Sequence, residues 1–139
     1  MNVMLTCAGR RNYLVRFFQE ALNADASGDA PALQEADTAF VVPFVTDCSY
    51  FDVILDICKA TNIRLLISLN DLELPLLAQQ RDTFHQIGTL PVVSEPEVID
   101  TCFDKWKAYL FLKSNGFATP STYLSIPDAC QALKAGDLA

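Results

Sequence analysis

The sequence is short of positive charge. Ten Lys and Arg residues stand against 17 Asp and Glu residues, which gives the 139-residue chain a formal net charge of −7. The basic residues are scattered, so the chain lacks the basic footprint that nucleic acid or an anionic membrane surface requires. We therefore expect neither nucleic acid nor a membrane as a partner, although a small anion could still be bound locally.

Signatures of metal, disulfide and membrane chemistry are also missing. The five cysteines form no C-x-x-C pair, and the single histidine, His85, lies at no metal-ligand spacing from them. This pattern argues against a disulfide framework and a zinc site, and it favours a reducing compartment. No apolar run has the length of a membrane span or the form of a signal peptide. These absences predict a cytoplasmic protein without a metal site.

Apolar strand patterns alternate with helical patterns along most of the chain, whose residues are 51% apolar. The patterns predict strands at 2–7, 40–42, 64–69 and 89–94, and helices at 12–23, within 46–62, and at 70–88, 96–102 and 104–115. This alternation predicts a three-layer α/β, Rossmann-like fold with a parallel sheet. We expect strand 2–7 to lie centrally beside strand 64–69, so that the turns after both open at one edge.

The pattern of predicted elements changes after residue 116. A Thr-Pro break precedes an extended piece at 121–124 and a helix at 127–135 that Ser125 caps. These elements are too few to bury a core of their own. We therefore expect one domain at 1–116 and the start of a truncated second domain at 117–139.

The stretch LTCAGRRNYLVRFF places two arginines where a strand turns into a helix. Cations are disfavoured in the first turn of a helix, so Arg10 and Arg11 either point into solvent or help to hold an anion. The only glycine of the turn is Gly9, which does not match the G-x-G-x-x-G dinucleotide pattern. We expect Arg10 to contact an anion and Arg11 to form a surface or interdomain salt bridge.

A polar group follows the strand at 64–69. Asn70 or Asp71 can cap the next helix, and Glu73 can complement its dipole. An alternative is that Glu73 turns toward the cleft and orients Arg10 or a substrate amine. The two interpretations are compatible, and we include Asp71 and Glu73 among the candidate binding residues.

Several stretches carry a family resemblance when taken in order: MNVMLTCAGRRNYLVRFF, LNDLELPLLA and VVSEPEVIDTCFDKWKAYLFLKSNGFATPSTY. Together they resemble the N-terminal part of ATP-grasp ligases related to the large subunit of carbamoyl-phosphate synthase. The resemblance implies a pre-ATP-grasp, or biotin-carboxylase N-terminal, domain. It also implies that Lys105 neighbours a nucleotide site, although an exposed lysine after a helix cap explains it equally well.

Such enzymes use ATP and magnesium to convert a carboxylate into an acyl phosphate, which an amine or another nucleophile then attacks. The resemblance implies that the residues holding ATP and magnesium lie in a following ATP-grasp domain, so we expect no catalytic residue and no tightly bound cofactor in this chain. Expected partners are a small carboxylate substrate, that further domain and a second copy in a homodimer. Alternatives are a free-standing nucleotide- or anion-binding module and a dimerisation scaffold.

One departure from the family pattern is expected near Asp25. The helix predicted at 12–23 leaves almost no room for the second strand of the family, which then is missing or limited to 23–27. This gap weakens any assignment of Asp25 to a ribose-like hydroxyl, the role of an acid at a strand end in a Rossmann fold.

Overall fold

The computed structural model describes residues 1–18, 21–25 and 27–136. The strands are β1 (Asn2–Thr6), β2 (Ala21–Asp25), β3 (Thr38–Val41), β4 (Ile63–Ser68) and β5 (Leu90–Pro91). The helices are α1 (Asn12–Phe17), α2 (Pro31–Glu35), α3 (Tyr50–Ala60), α4 (Leu74–Gln79), α5 (Arg81–Gln86), α6 (Pro96–Phe103), α7 (Lys105–Ser114) and α8 (Ile126–Ala135). None of the described helices is long and apolar enough to cross a membrane.

The five strands form one sheet in the order β3-β2-β1-β4-β5, and all neighbouring pairs are parallel. β1 is central and pairs with β4, as the sequence predicts. The carboxyl ends of β1 and β4 therefore lie at the same edge, where Gly9 and Asn70 follow them. The predicted doubly wound arrangement of these strands is confirmed.

Each face of the sheet has its own apolar cluster, because successive side chains of a strand point to opposite faces. On one face Met4 and Leu66 pack with side chains from α3, α4 and α5, including Ile54, Leu77 and Phe84. On the other face a smaller cluster joins β1 to α1 and α2 through Val3, Leu5, Ala8, Val15 and Ala32. Helices thus cover both faces, and the predicted three-layer α/β fold is confirmed.

The predicted helix at 12–23 is wrong in its second half. α1 ends at Phe17, and the chain then forms β2, so the second strand that the sequence analysis could not place is present. The buried face also differs, since α1 buries Val15 while Tyr13 and Phe17 are exposed. Ala21 and Leu22 continue a helical spacing by coincidence, and pairing with β1 and β3 overrides this local pattern.

Other element boundaries differ in smaller ways. α3 begins later than the start of the predicted 46–62 range: its N-cap position is Ser49, and Asp47 accepts hydrogen bonds from the backbone N–H and the hydroxyl of Ser49. The helix predicted at 70–88 is a 3₁₀ turn, Asp71–Glu73, followed by α4 and α5. The strand predicted at 89–94 is only two residues long. The piece at 121–124, which the structure describes, forms no strand.

The chain divides into two compact units, Met1–Pro96 and Glu97–Ala139. The first contains the whole sheet and both apolar clusters. In the second, the described helices α6, α7 and α8 bury no side chain completely. The first unit ends at Pro96, the first residue of α6, whereas the predicted first domain extends to residue 116. The domain boundary at 116 stays a prediction.

Candidate functional site

An open pocket of about 270 Å³ lies where β1 and β4 end. Its lining consists of Cys7, Arg11, Leu69, Asn70 and Asp71. The two strands are adjacent and parallel, so both post-strand loops reach the same place. This is the edge at which open parallel sheets bind ligands, and it brings together residues that are more than 50 positions apart in the sequence.

Arg11, rather than Arg10, lies on this pocket. The guanidinium Nη1 of Arg11 donates a hydrogen bond of 2.8 Å to the carbonyl oxygen of Leu69. This bond ties the loop after β1 to the end of β4 and accounts for one of the five N–H donors of the side chain. Arg10 is exposed and is not among the lining residues. The geometry therefore favours Arg11 over the Arg10 of the sequence analysis as an anion contact.

The N–H group at the turn glycine already has a partner. Gly9 has a φ of +53° and donates its N–H to Oδ2 of Asp25 at 2.9 Å. The other carboxylate oxygen, Oδ1, accepts from the N–H of Ser27 at 3.0 Å. Asp25 at the end of β2 thus closes the loop after β1. Its negative charge disfavours an anion at Gly9, which makes the predicted anion cradle at this turn less suitable than the pocket beside Arg11.

Glu73 is completely buried and does not reach the pocket as a free carboxylate. Its Oε2 accepts hydrogen bonds from the hydroxyls of Thr6 (2.6 Å) and Ser68 (2.5 Å), and its Oε1 accepts one from Tyr50 (2.7 Å). Within the described residues, the hydrogen bonds of its carboxylate go to these three hydroxyls and none joins it to Arg10. The sequence-based idea that Glu73 orients Arg10 is wrong; Glu73 instead joins the ends of β1 and β4 to the start of α3.

Cys7 connects this buried network to the pocket. Its Sγ lies 4.0 Å from the Tyr50 hydroxyl, which gives its own proton to Glu73, so the thiol is the donor. Burial and the nearby charge of Glu73 raise the pKa of Cys7 to about 11. Burial and Glu73 also raise the pKa of Tyr50 well above its usual range. Cys7 is therefore a neutral thiol at physiological pH and a weak nucleophile.

The remaining candidates have separate positions. Asp71 is exposed and lines the pocket, while the side-chain oxygen of Asn70 accepts from the N–H of Leu72 at 3.0 Å, so Asn70 caps the 3₁₀ turn as predicted. Lys105 is exposed at the start of α7 in the second unit. Its proximity to a nucleotide stays a prediction.

The family model for the PylC-like N-terminal domain matches residues 3–93. The chain belongs to this family. The match covers all five strands apart from Asn2, the first residue of β1, and it covers the pocket at the ends of β1 and β4. No curated protein matches the chain in sequence.

Solved structures agree with the PylC-like domain in fold. The chain resembles an L-amino acid ligase from Bacillus licheniformis with a TM-score of 0.67 and 17% identity, over 91% of this chain and 34% of that one. N5-carboxyaminoimidazole ribonucleotide synthetase from Thermotoga maritima gives a TM-score of 0.63 and 17% identity, over 94% and 35%. The predicted pre-ATP-grasp N-terminal domain is confirmed as family and fold.

A third similar structure is the dimer of the biotin carboxylase domain of the Hydrogenobacter thermophilus 2-oxoglutarate carboxylase, in complex with MgADP and bicarbonate. It gives a TM-score of 0.60 and 14% identity, over 96% of this chain and 32% of that one. The chain thus spans about a third of the length of each of these structures.

The residues of the PylC-like domain described here do not fit a magnesium nucleotide. They contain no group of three His, Cys, Asp or Glu side chains placed to hold a metal ion. The N–H of Gly9, which could have met a phosphate, bonds to the Asp25 carboxylate instead.

Sequence reasoning missed Thr6 and Tyr50 as partners of Glu73, and Asp25 as the partner of Gly9. Tyr50 stands at the start of α3 in a stretch that gives no chemical signal. Asp25 did carry a signal, because an acid at the end of the second strand is typical of Rossmann-like folds. The wrong extension of the first helix concealed it.

Proposed function

We propose that the chain is the substrate-side N-terminal domain of an ATP-grasp ligase. In the whole protein, a carboxylate is converted into an acyl phosphate at the expense of ATP, and an amine displaces the phosphate. The family match over residues 3–93 carries this proposal. Binding of ATP and magnesium is assigned to another part of the protein, and this chain alone is not catalytic. We also propose that this ligase is related to the large subunit of carbamoyl-phosphate synthase.

The pocket at the ends of β1 and β4 is where we propose that a small substrate makes contact. Arg11 supplies a cation that its bond to Leu69 holds at the pocket, and Asp71 supplies an exposed carboxylate in the same lining. A carboxylate of the substrate would bond to the free N–H groups of Arg11. An amino group of the substrate would donate hydrogen bonds to the Asp71 carboxylate. This pair suits a small amino acid, the substrate class in the name of the similar Bacillus licheniformis ligase.

Titration of the isotope-labelled chain with amino acids, followed by NMR, tests the contact. Each amino acid is compared with the corresponding acid that lacks the amino group. We expect chemical-shift changes in the resonances of Cys7, Arg11 and Asp71. We also expect the amino acid to bind more tightly than the deaminated acid. Arg11→Gln removes a charge-assisted hydrogen bond worth about 1.5 to 3 kcal/mol, so affinity should fall at least about tenfold.

Arg10→Gln is the matched control, because it makes the same change one residue away from the pocket. We expect its affinity to stay within about twofold of the parent chain, since exposed charges contribute little. A larger loss with Arg10→Gln than with Arg11→Gln would return the anion contact to Arg10. Shifts confined to residues outside the pocket would contradict the proposed substrate contact.

A further inference from the structure

The pocket at the ends of β1 and β4 has a lining in which polar groups predominate. Of its five lining residues, Leu69 is the one with an aliphatic side chain. That side chain packs against the apolar cluster that contains Val15 and Ala32, while the Leu69 carbonyl accepts the hydrogen bond from Arg11. The pocket therefore offers hydrogen-bonding groups to a ligand and little apolar surface.

The side chain of Asn70, which lines this pocket, is held in one orientation. Its Oδ1 accepts a hydrogen bond of 3.0 Å from the N–H of Leu72, the bond that caps the 3₁₀ turn. An amide has an acceptor oxygen at one end and a donor nitrogen at the other, so this bond commits the acceptor end to the backbone. The Nδ2 amino group, with two N–H donors, is the end that remains for other partners.

The amino group of Asn70 lies beside Cys7. Burial and the charge of Glu73 raise the pKa of Cys7 to about 11, and a hydrogen bond from the Asn70 side chain to the thiol opposes this rise. Sulfur is a weak acceptor. Within the described residues, Nδ2 of Asn70 donates no hydrogen bond to an oxygen atom. An oxygen atom of a ligand would therefore be a better acceptor for these donors than the partner they have.

The proposed contacts of an amino acid with Arg11 and Asp71 determine where its side chain lies. With the α-carboxylate at Arg11 and the α-amino group at Asp71, the side chains that remain in the lining are those of Cys7 and Asn70. An apolar side chain at this place would take water from the Asn70 donors and replace none of its hydrogen bonds, which costs free energy. A side-chain oxygen of the ligand would replace them.

We propose that the pocket selects amino acids whose side chain carries a hydrogen-bond acceptor, and that the Nδ2 group of Asn70 is the donor that binds it. This inference rests on the proposed amino-acid contact and narrows its substrate class. The pocket, of about 270 Å³, suits an acceptor on a short side chain such as that of asparagine. Selection of this kind is effective because the wrong ligand leaves polar groups of the site unpaired.

Two amino acids of nearly the same shape test the selection. One is leucine, and the other is its analogue in which a γ-ketone oxygen replaces one methyl group, so that the side chain accepts hydrogen bonds and donates none. NMR titration of the unmodified chain should show that the ketone binds about tenfold more tightly than leucine. At equal saturation, the Nδ2 resonances of Asn70 should shift more with the ketone than with leucine. This measurement does not depend on any variant folding.

Asn70→Asp removes the donors and keeps the cap. Aspartate is also a good N-cap, so one carboxylate oxygen still accepts from the N–H of Leu72, and the other replaces the Nδ2 donor with an acceptor. We expect the preference for the ketone over leucine to disappear. The two probes carry the same charge, so the ratio of their affinities cancels the long-range effect of the added negative charge.

Asn62→Asp is the matched control. It makes the same change just before β4, at the opposite edge of the sheet from the pocket. Asn62 is exposed and has a φ of +51°, a conformation that aspartate also adopts. We expect this variant to keep the tenfold preference for the ketone.

The possible results separate this inference from the proposed function. Equal affinities for the ketone and leucine, with both bound at the pocket, would overturn the selection and leave the substrate contact intact. A preference that survives Asn70→Asp, or that Asn62→Asp abolishes to the same extent, would overturn the role of Asn70. If neither probe binds, the substrate contact and this inference are both wrong.

Discussion

At the scale of single residues, the carboxylate of Glu73 is a polar group on which the stability of the fold depends. It is completely buried and accepts hydrogen bonds from Thr6, Ser68 and Tyr50. A buried charge is tolerated only when it is well hydrogen-bonded, and its hydroxyl partners in turn depend on it. Glu73 is thus a structural residue that joins the strand ends beside the pocket.

Glu73→Ala should destabilise the chain by about 3 to 5 kcal/mol, because it leaves a cavity and removes the acceptor of the buried Thr6 and Tyr50 hydroxyls. Chemical denaturation measures this loss. Asp71→Ala changes an exposed carboxylate in the same turn and should cost less than about 0.5 kcal/mol. Equal effects of the two substitutions would mean that the network contributes nothing specific.

The thiols predict a loss of stability at alkaline pH. Burial raises the pKa of Cys58 from 9.0 to about 12, and burial with the charge of Glu73 raises that of Cys7 from 9.0 to about 11. A group whose pKa is higher in the folded state stabilises fully below its unfolded pKa. This contribution is lost as the pH rises from 9 toward those values.

Urea unfolding between pH 8 and pH 11 should therefore show a falling free energy of unfolding, and Cys7→Ser with Cys58→Ala should flatten the fall. At pH 8, a maleimide should modify the exposed Cys48, Cys102 and Cys130 much faster than Cys7 and Cys58. Rapid modification of Cys7 at that pH would show that its thiol is not held as described.

At the scale of elements, the sequence predicted best where a local signal and the tertiary structure agree. Ser125 caps α8 as predicted, Asp104 caps α7, and Gly116 and Gly136 follow those helices with positive φ. The strands β1 and β4 were found because they are buried apolar runs. Local rules sufficed for these elements, since capping chemistry and apolar runs are properties of short segments.

The sequence predicted less where partners distant along the chain decide the structure. β2 follows a helix without a break in the apolar spacing, and only its pairing with β1 and β3 makes it a strand. Burial of Glu73 depends on Thr6 and Tyr50, which no motif links to it. The position of the pocket could be predicted from the strand order, but the choice of Arg11 over Arg10 required coordinates.

Asp104→Ala should destabilise α7 by about 1 kcal/mol, because the carboxylate accepts from the N–H groups of Trp106 (2.8 Å) and Lys107 (3.2 Å). The helical circular dichroism of a peptide spanning 103–116 reports the change most directly. Asp104→Asn should keep most of the helix, since asparagine is also a good N-cap. Equal helicity of the peptides with Ala and with Asp at position 104 would show that this cap is unimportant.

At the scale of the whole molecule, the proposed function assigns nucleotide binding to another part of the protein. The chain carries a net charge of −7, and at its first strand-helix turn the Gly9 N–H is bonded to Asp25. Both features oppose a polyphosphate. Both features support the proposal that ATP binds to another part of the ligase.

Calorimetric titration of the isolated chain with Mg-ATP should give no dissociation constant in the micromolar range, which would correspond to about −8 kcal/mol. Hydrolysis of ATP should stay at the background rate. If micromolar binding is found, Asp25→Asn identifies its place, because removal of that charge should tighten binding only at the Gly9 turn. Such binding would favour a free-standing nucleotide-binding module over the ligase domain.

The strand order also has a consequence for synthesis of the chain on the ribosome. β1 receives one neighbour, β2, from within the first 25 residues, but its other neighbour, β4, begins only at residue 63. While the intervening residues are translated, the nascent chain exposes one side of the central strand β1. Non-local pairing of this kind is slow and leaves apolar segments open to aggregation. We therefore expect the nascent chain to be most open to aggregation in the interval before β4 emerges.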